Sequence, residues 1–243
     1  MPDAKPKSTV RAVFFDLFDT LAHFWPPREE IQKNACEDFG ITLTTRGIAQ
    51  GYALADNYMA NENAGMLPVR SRTPEATTEF FAEYERLVLL GAGIEVNTEL
   101  AGRVWDQVRG TPYGLALFDD VIPTLQQLRR FDVAIGLISN MNRSGIEILQ
   151  TLGLTDYMDF AITSKEVGAE KPHAAIFEAA LITAGTLSQQ AMHVGDQYLS
   201  DVVGALGVGI TPILIDRYQT AGTYDGIVKI HALEEVLQLL EGE

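Results

Sequence analysis

The sequence predicts an α/β fold, a doubly wound parallel sheet with an all-helical domain inserted after the first strand. Three observations carry this expectation. From Asp119 onward, short apolar runs ending in polar residues alternate with helical patterns, the rhythm of a parallel sheet covered on both faces. A run of the same kind, Ala12 to Phe15, stands alone near the chain start. Between the two, from Ala22 to Leu115, no strand pattern is legible and helical spacing prevails. A core built from residues 9–22 and 112–243 is therefore expected, with residues 23–111 as the helical insert.

Composition suits such a protein: 243 residues, 47% hydrophobic and 21% charged, enough apolar surface for a sizeable core. The net charge of −15 argues against nucleic acid or anionic membrane as a partner, since both need a basic surface. An anionic substrate would have to be held by a local positive site against that field. The single cysteine, Cys36, excludes an intramolecular disulfide and reads as a small packed residue in a helix. That fits a cytoplasmic location. The first ten residues form a polar tail without the apolar centre of a signal peptide. No run approaches the ~20 apolar residues of a membrane span. The sequence does not choose between a monomer and a homodimer.

Each element has a local reason. Ala12 to Phe15 is a continuous apolar run, as expected of a strand buried on both faces. Pro26 and Pro27 break the chain, and Glu29 and Glu30 suit the first turn of a helix beginning near Arg28. Ile31, Ala35 and Phe39 mark its apolar side. Thr44 can cap a helix reaching about Asn61, with Ile48, Tyr52, Ala55 and Met59 on one face. Asn61 to Arg72 reads as a loop by its Gly, Pro and polar content. Thr73 then precedes Pro74 at a first helical position, and Phe80, Phe81, Tyr84, Leu87 and Val88 follow. Asn97 starts a further helix with Leu100, Val104 and Val108.

The core resumes with a helix over Asp119–Arg130 and a strand over Val133–Ser139. A helix over Asn142–Leu152 is closed by Gly153, and Phe160–Thr163 is a short strand. Helices at Pro172–Gly185 and Tyr198–Leu206 flank a strand at Ala191–Gly195. Ile210–Ile215 is a strand, Ile227–Ile230 an edge strand, and Leu233–Leu240 the last helix.

Chemistry-bearing residues recur where strands end or in the loops that follow. Asp16 follows the first strand, Ser139 and Asn140 end the next, Lys171 sits in a loop before a helix, Asp196 follows Gly195, and Asp201 comes five residues on. Alone, Asp16 reads equally as a helix cap or as a reactive carboxylate. Ser139 and Asp196 have the same dull alternative, and Lys171 and Asp201 read singly as solvated residues. In an open α/β sheet, however, ligands bind beyond the carboxyl ends of the strands. Asp16, Ser139, Lys171, Asp196 and Asp201 at corresponding positions imply one cleft.

The stretches VFFDLFDTL (13–21), LISN (137–140), AEKPHAAIFEAAL (169–181) and HVGDQYLSDVVGALGVG (193–209) resemble, in order, the motifs of the haloacid dehalogenase (HAD) superfamily. The resemblance implies a Rossmann-like core with the helical insert as its cap. It implies a hydrolase in which Asp16 is the nucleophile, forming a covalent aspartyl intermediate. Mg²⁺ would be held by Asp16, the backbone carbonyl of Phe18 and Asp196, with Asp201 as a ligand or acting through a water. Ser139 and the amide of Asn140 would bind phosphate, Lys171 would neutralise charge, and Thr20 would hold the loop by hydrogen bonding. The substrate would be a small phosphorylated molecule.

One position departs from the phosphatase pattern. The family's acid–base Asp, two residues after the nucleophile, is here Phe18, which transfers no proton. General acid–base help is worth about 10²–10⁴-fold. Asp19, one residue later, should point elsewhere. An aromatic residue at this position resembles the metal-independent 2-haloacid dehalogenases, while Asp196 with Asp201 resembles the Mg²⁺ phosphatases. The carboxylate cluster weighs more, because it is costly without a cation. A phosphatase-type hydrolase is thus the first expectation. A dehalogenase and a low-activity pseudoenzyme that binds a phosphorylated ligand are the alternatives. His23, Trp25 and Arg28 are candidates near the site mouth. Arg70 and Arg72 read as solvated, and His193 as a buried, hydrogen-bonded core residue.

Overall fold

The structure, a computed structural model, describes residues 10–65 and 67–241, and of Arg70 the backbone alone. Of the ten residues expected to form a polar tail, the first nine lie outside the described residues, as does the side chain of Arg70.

Six strands form one parallel sheet in the order β5-β4-β1-β6-β7-β8: β1 Ala12–Phe15, β4 Ala134–Ser139, β5 Phe160–Thr163, β6 Ala191–Gly195, β7 Thr211–Ile215 and β8 Val228–Ile230. Phe15 pairs with Leu137 of β4 on one side and with Val194 of β6 on the other. The chain builds outward from β1 through β4 and β5, then crosses to β6, β7 and β8. β1 lies where the direction of strand addition reverses, and the crevice for a ligand opens at such a point. All four β1 residues are buried, which explains the unbroken apolar run.

On one face of the sheet, Ala12, Phe14 and Ile138 pack with Ile176, Phe177 and Ala180 of the helix α8, Ala174–Ala184. The remaining core helices are α5 Val121–Leu128, α6 Gly145–Thr151, α7 Ser164–Val167, α9 Gly204–Gly207 and α10 Glu235–Glu241. α7 is an addition to the sequence reading, and its capping box joins Thr163 to Glu166. The helix expected over Tyr198–Leu206 begins instead as a π-helix, Tyr198–Val203, and becomes α-helical only at Gly204. Widened turns of this kind are frequent at functional sites.

The chain divides into two compact units. One comprises the chain up to Ala22, Leu117–Gln219 and the part from Thr223 on. The other is His23–Ala116 with Thr220–Gly222. The second unit contains α1 Arg28–Glu37, α2 Thr45–Ala64, α3 Pro74–Gly91 and α4 Thr98–Gly110. The caps act as expected: Thr44 accepts from the amide of Gly47, Thr73 from Ala76 and Asn97 from Leu100. Cys36, Ile48, Tyr52, Phe80, Tyr84, Val88 and Val104 form its core. Gly51 brings α2 against α3, since a Cβ there would run into the carbonyl of Val88.

The expectation of no strand between Ala22 and Leu115 is corrected. β2 Ala22–Trp25 and β3 Gly114–Leu117 pair as a separate two-stranded sheet. Strands of four residues show little periodicity, and these two are brought together only by the return of the chain through the insert.

Candidate active site at the carboxyl edge of the sheet

Asp16 directly follows β1, and its amide donates to the carbonyl of Val194 in β6 at 2.9 Å. Its carboxylate is 7% exposed at residue level and accepts from Lys171 Nζ at 2.5 Å. The same ammonium reaches Oδ1 of Asp201 at 2.6 Å. One buried cation therefore serves two buried carboxylates. Asp196, half-buried immediately after β6, brings a third carboxylate, and one oxygen from each acid lies within 4.8 Å of the others.

Asp201 is held from several sides. Oδ1 also accepts from Nε2–H of His193 at 2.8 Å, and Oδ2 from the amide of Gln197 at 3.1 Å. The π-helix makes the latter contact local by folding Asp201 back onto the residue that precedes it. Gly195 allows the approach, since a Cβ there would collide with the Asp201 carboxylate. His193 is fully buried as expected from the sequence. Burial lowers its pKa, so a neutral ring donates from Nε2, and Nδ1 has no partner among the described residues.

The electrostatics separate the two acids. Burial raises the Asp201 pKa, but Lys171 and the His193 hydrogen bond outweigh it and hold the carboxyl well below its usual range. For Asp16, burial dominates, aided by the negative charge of Asp201 and opposed by Lys171, and the carboxyl is pushed up to about 6. Burial disfavours the Lys171 ammonium, yet its two carboxylates keep it firmly charged.

The other expected residues are placed as follows. Ser139 ends β4, beside β1, and is buried at 1% exposure. The side chain of Asn140 is committed to the backbone of Lys171, accepting from its amide at 2.7 Å and donating to its carbonyl at 3.1 Å. It therefore places Lys171. Thr20 departs from expectation. Its hydroxyl is buried with no hydrogen-bond partner among the described residues, while its carbonyl accepts from Arg217 at 2.7 and 3.0 Å. The loop is held by that guanidinium and not by the hydroxyl. Phe18 lies in the turn between β1 and β2 and bridges to Ala22. Asp19, at φ +54°, turns its carboxylate to the hydroxyl of Tyr218, which donates at 3.2 Å. Tyr198 stacks on Tyr224, with ring centroids 3.7 Å apart.

Among the candidates in the insert, Arg72 is not a solvated residue. It pairs with Glu62 at 2.7 Å and donates to the carbonyl of Leu67. Arg28 lies 3.6 Å from Asp56 and stacks over Tyr52. His23 Nδ1 approaches the Phe24 carbonyl at 2.9 Å, and Trp25 is exposed. Arg217 and its partner Asp120 escaped sequence reading. A lone Arg after a strand carries no pattern that separates it from a solvated loop residue.

The fold and site are those of an α/β protein with a buried Asp–Lys–Asp cluster at the switch point of its parallel sheet. The match to the family model of the haloacid dehalogenase-like hydrolases over residues 10–209 makes this specific: the chain belongs to that family. Two relatives are phosphatases. The ribulose-1,5-bisphosphate 5-phosphatase of Halopiger xanaduensis is 28% identical over 217 residues, 84% of each chain. The glyceraldehyde 3-phosphate phosphatase of Methanothermobacter thermautotrophicus is 28% identical over 244 residues, 96% of this chain and 99% of that one. Among solved structures, an L-2-haloacid dehalogenase superposes with a TM-score of 0.64 at 16% identity, covering 96% of this chain and 99% of that one. That likeness concerns the fold alone.

Proposed function

We propose that the chain is a Mg²⁺-dependent phosphatase for small phosphorylated molecules of the sugar-phosphate kind, with Asp16 as nucleophile. The observation that carries this reading is the meeting of Asp16, Asp196 and Asp201, with an oxygen of each acid within 4.8 Å of the others, where the Lys171 ammonium pairs with Asp16 and Asp201. Three carboxylates against one lysine leave excess negative charge, a cost that a bound cation offsets. The donor set fits Mg²⁺, which prefers oxygen ligands spanning about 4.2 Å across its octahedron. Asp16, the Phe18 carbonyl and Asp196 would hold the ion. Asp201, already accepting three hydrogen bonds, would support it through water. When bound, Mg²⁺ would draw charge from the phosphoryl oxygens and keep Asp16 ionised.

The chain's own groups do the rest. Lys171 holds the Asp16 carboxylate in place and offsets developing charge, Ser139 and the Asn140 amide bind phosphoryl oxygens, and residues 23–111 serve as the cap that selects substrate. An Asp16 oxygen attacks phosphorus as the bond to the leaving oxygen breaks. Water then attacks the aspartyl phosphate, releasing phosphate and restoring Asp16. Phe18 donates no proton to the leaving oxygen and Asp19 is engaged by Tyr218, so the proton comes from solvent and good leaving groups are favoured. The sugar-phosphate class rests on the two related phosphatases.

The test assays p-nitrophenyl phosphate and 2-chloropropionate, each with Mg²⁺ and with chelator, on wild type and Asp16→Asn. Metal-dependent release of p-nitrophenol, lost by about 10³-fold or more in Asp16→Asn, is expected. Release that survives chelation, or is unchanged in Asp16→Asn, overturns the reading. Chloride release without metal establishes a dehalogenase instead.

A further inference from the structure

The turn that follows the proposed nucleophile is gripped from outside by a loop the family motifs do not include. Within the turn, the amides of Leu21 and Ala22 both donate to the carbonyl of Leu17, at 2.9 and 2.8 Å, and the amide of Asp19 donates to the carbonyl of Ala22 at 2.8 Å. Asp19 at φ +54° occupies a left-handed conformation that an L residue adopts at a cost. A tight turn with such a residue persists where its surroundings over-determine it.

Two consecutive residues after β7 supply that constraint. Nε and Nη2 of Arg217 donate to the carbonyl of Thr20 at 3.0 and 2.7 Å, and Tyr218 donates to Asp19. The same guanidinium makes a fork on Asp120, Nη1 to Oδ2 and Nη2 to Oδ1, both at 3.0 Å. Its face lies 4.0 Å over the ring of Phe118. The amide of Phe118 in turn donates to the carbonyl of Leu21 at 3.1 Å. The clasp thus joins the segment where the chain leaves the core to the one where it returns. Asp120 stands at the N-cap of α5 but makes no side-chain cap bond to it. Its carboxylate serves Arg217 and the amide of Leu233 instead, the latter at 2.8 Å. The side chains of Arg217 and Asp120 are only 9% and 20% exposed, so the pair is charge-assisted and bidentate rather than a solvated surface contact.

We propose that Arg217 is a positioning residue of the active site: it fixes the Leu17–Ala22 turn, and through it the Phe18 carbonyl and the Asp16 carboxylate. The proposal rests on the function proposed above, because it is that reading which gives Phe18 and Asp16 their roles. A planar guanidinium reaches one carbonyl and two carboxylate oxygens through a fixed fork of donors, a geometry that the ammonium of lysine does not have.

The test uses the full chain and the variants Arg217→Gln and Arg217→Lys, with Asp120→Asn as a third should Arg217→Gln fail to fold. Asp120→Asn keeps an acceptor for the Leu233 amide while removing the charge that faces Arg217. Three readouts are taken: hydrogen exchange of the amides in 17–22, Mg²⁺ affinity by calorimetry without substrate, and kcat and KM for p-nitrophenyl phosphate. The Gln variant should exchange these amides about tenfold faster or more, bind Mg²⁺ about 10–100-fold more weakly, and lose kcat with little change in KM. The Lys variant should recover only part of each loss. Unchanged exchange in 17–22 overturns the proposal. Faster exchange with wild-type Mg²⁺ affinity and kcat also overturns it, since Arg217 is then a structural tie and no more. If wild type itself neither binds Mg²⁺ nor turns over, it is the proposed function that fails, and the exchange rates alone judge the clasp.

Discussion

Asp201 in the core unit and Glu85 in the insert are both buried carboxylates, exposed to 2% and 0%, and their surroundings treat them differently. Asp201 faces the Lys171 ammonium at 2.6 Å and His193 at 2.8 Å. Glu85, on α3, has the side-chain amide of Gln32 on one oxygen at 2.5 Å, and its other oxygen has no hydrogen-bond partner among the described residues. Gln32 is itself held by Tyr52, whose hydroxyl donates to it at 2.9 Å. The outcome follows. Asp201 is held charged, its carboxyl well below the ordinary range because Lys171 and His193 outweigh burial. Burial pushes Glu85 up to about 8, with Gln32 opposing only weakly, so at neutral pH it is mostly the uncharged acid. A buried carboxylate keeps its charge when a cation comes with it and gives up the charge when the partner is an amide. The core unit keeps charge where the proposed chemistry needs it; the insert uses its acid as a neutral hydrogen-bonding group among apolar helices.

The largest expected effect comes from making the core resemble the insert. Lys171→Met leaves Asp16 and Asp201 buried without their shared cation, and breaking a buried pair from one side costs about 3–5 kcal/mol. Urea unfolding should show that loss at pH 8 and a smaller one at pH 5, because without Lys171 burial raises both carboxyls and their protonation removes the uncompensated charge. A loss below about 1 kcal/mol at pH 8 would mean that Lys171 is not what keeps these acids buried.

Next comes the pH dependence of the insert. The folded pKa of Glu85 lies above its unfolded value of 4.5, at about 8. Between those values the unfolded chain binds fewer protons, so the contribution of Glu85 is fully present below 4.5 and is lost as pH rises toward 8. The slope is about 1.4 kcal/mol per pH unit. Glu85→Gln should remove that slope, so stability of wild type relative to the variant declines across the window. Parallel curves for the two proteins would place Glu85 in contact with water or a cation.

The smallest effect is expected from Tyr52→Phe, which removes the donor to Gln32 and leaves one buried acceptor unserved, at a cost of about 1 kcal/mol. It should also loosen the hold of Gln32 on Glu85 without altering turnover of p-nitrophenyl phosphate, since Tyr52 belongs to the insert's core. A turnover change of tenfold or so would link the insert's polar core to the chemistry.

Much of the core was legible because strands of a parallel sheet leave short, mostly apolar runs. Ala12–Phe15, Phe160–Thr163 and Ala191–Gly195 were read with the bounds they have. The helix starts at Thr44, Thr73 and Asn97 were legible because a cap bonds only to residues a few positions away. Asp16, Lys171 and Asp201 were legible through family motifs, and the structure brings the three side chains into contact. The contact between His193 and Asp201 was only half visible, as a strand histidine needing some partner.

Local pattern thus determined most of the core strands, the capped helix starts and which carboxylates stand at strand ends, since these depend on neighbours close in sequence. Only the tertiary structure decided the rest. It paired Ala22–Trp25 with Gly114–Leu117 across the whole insert. It also carried Arg217 to the carbonyl of Thr20, gave one lysine to two acids, and left Glu85 with an amide. Each of these is a contact between residues far apart in the chain, and each sets a charge or a backbone position through a local dielectric and geometry that no stretch of sequence contains.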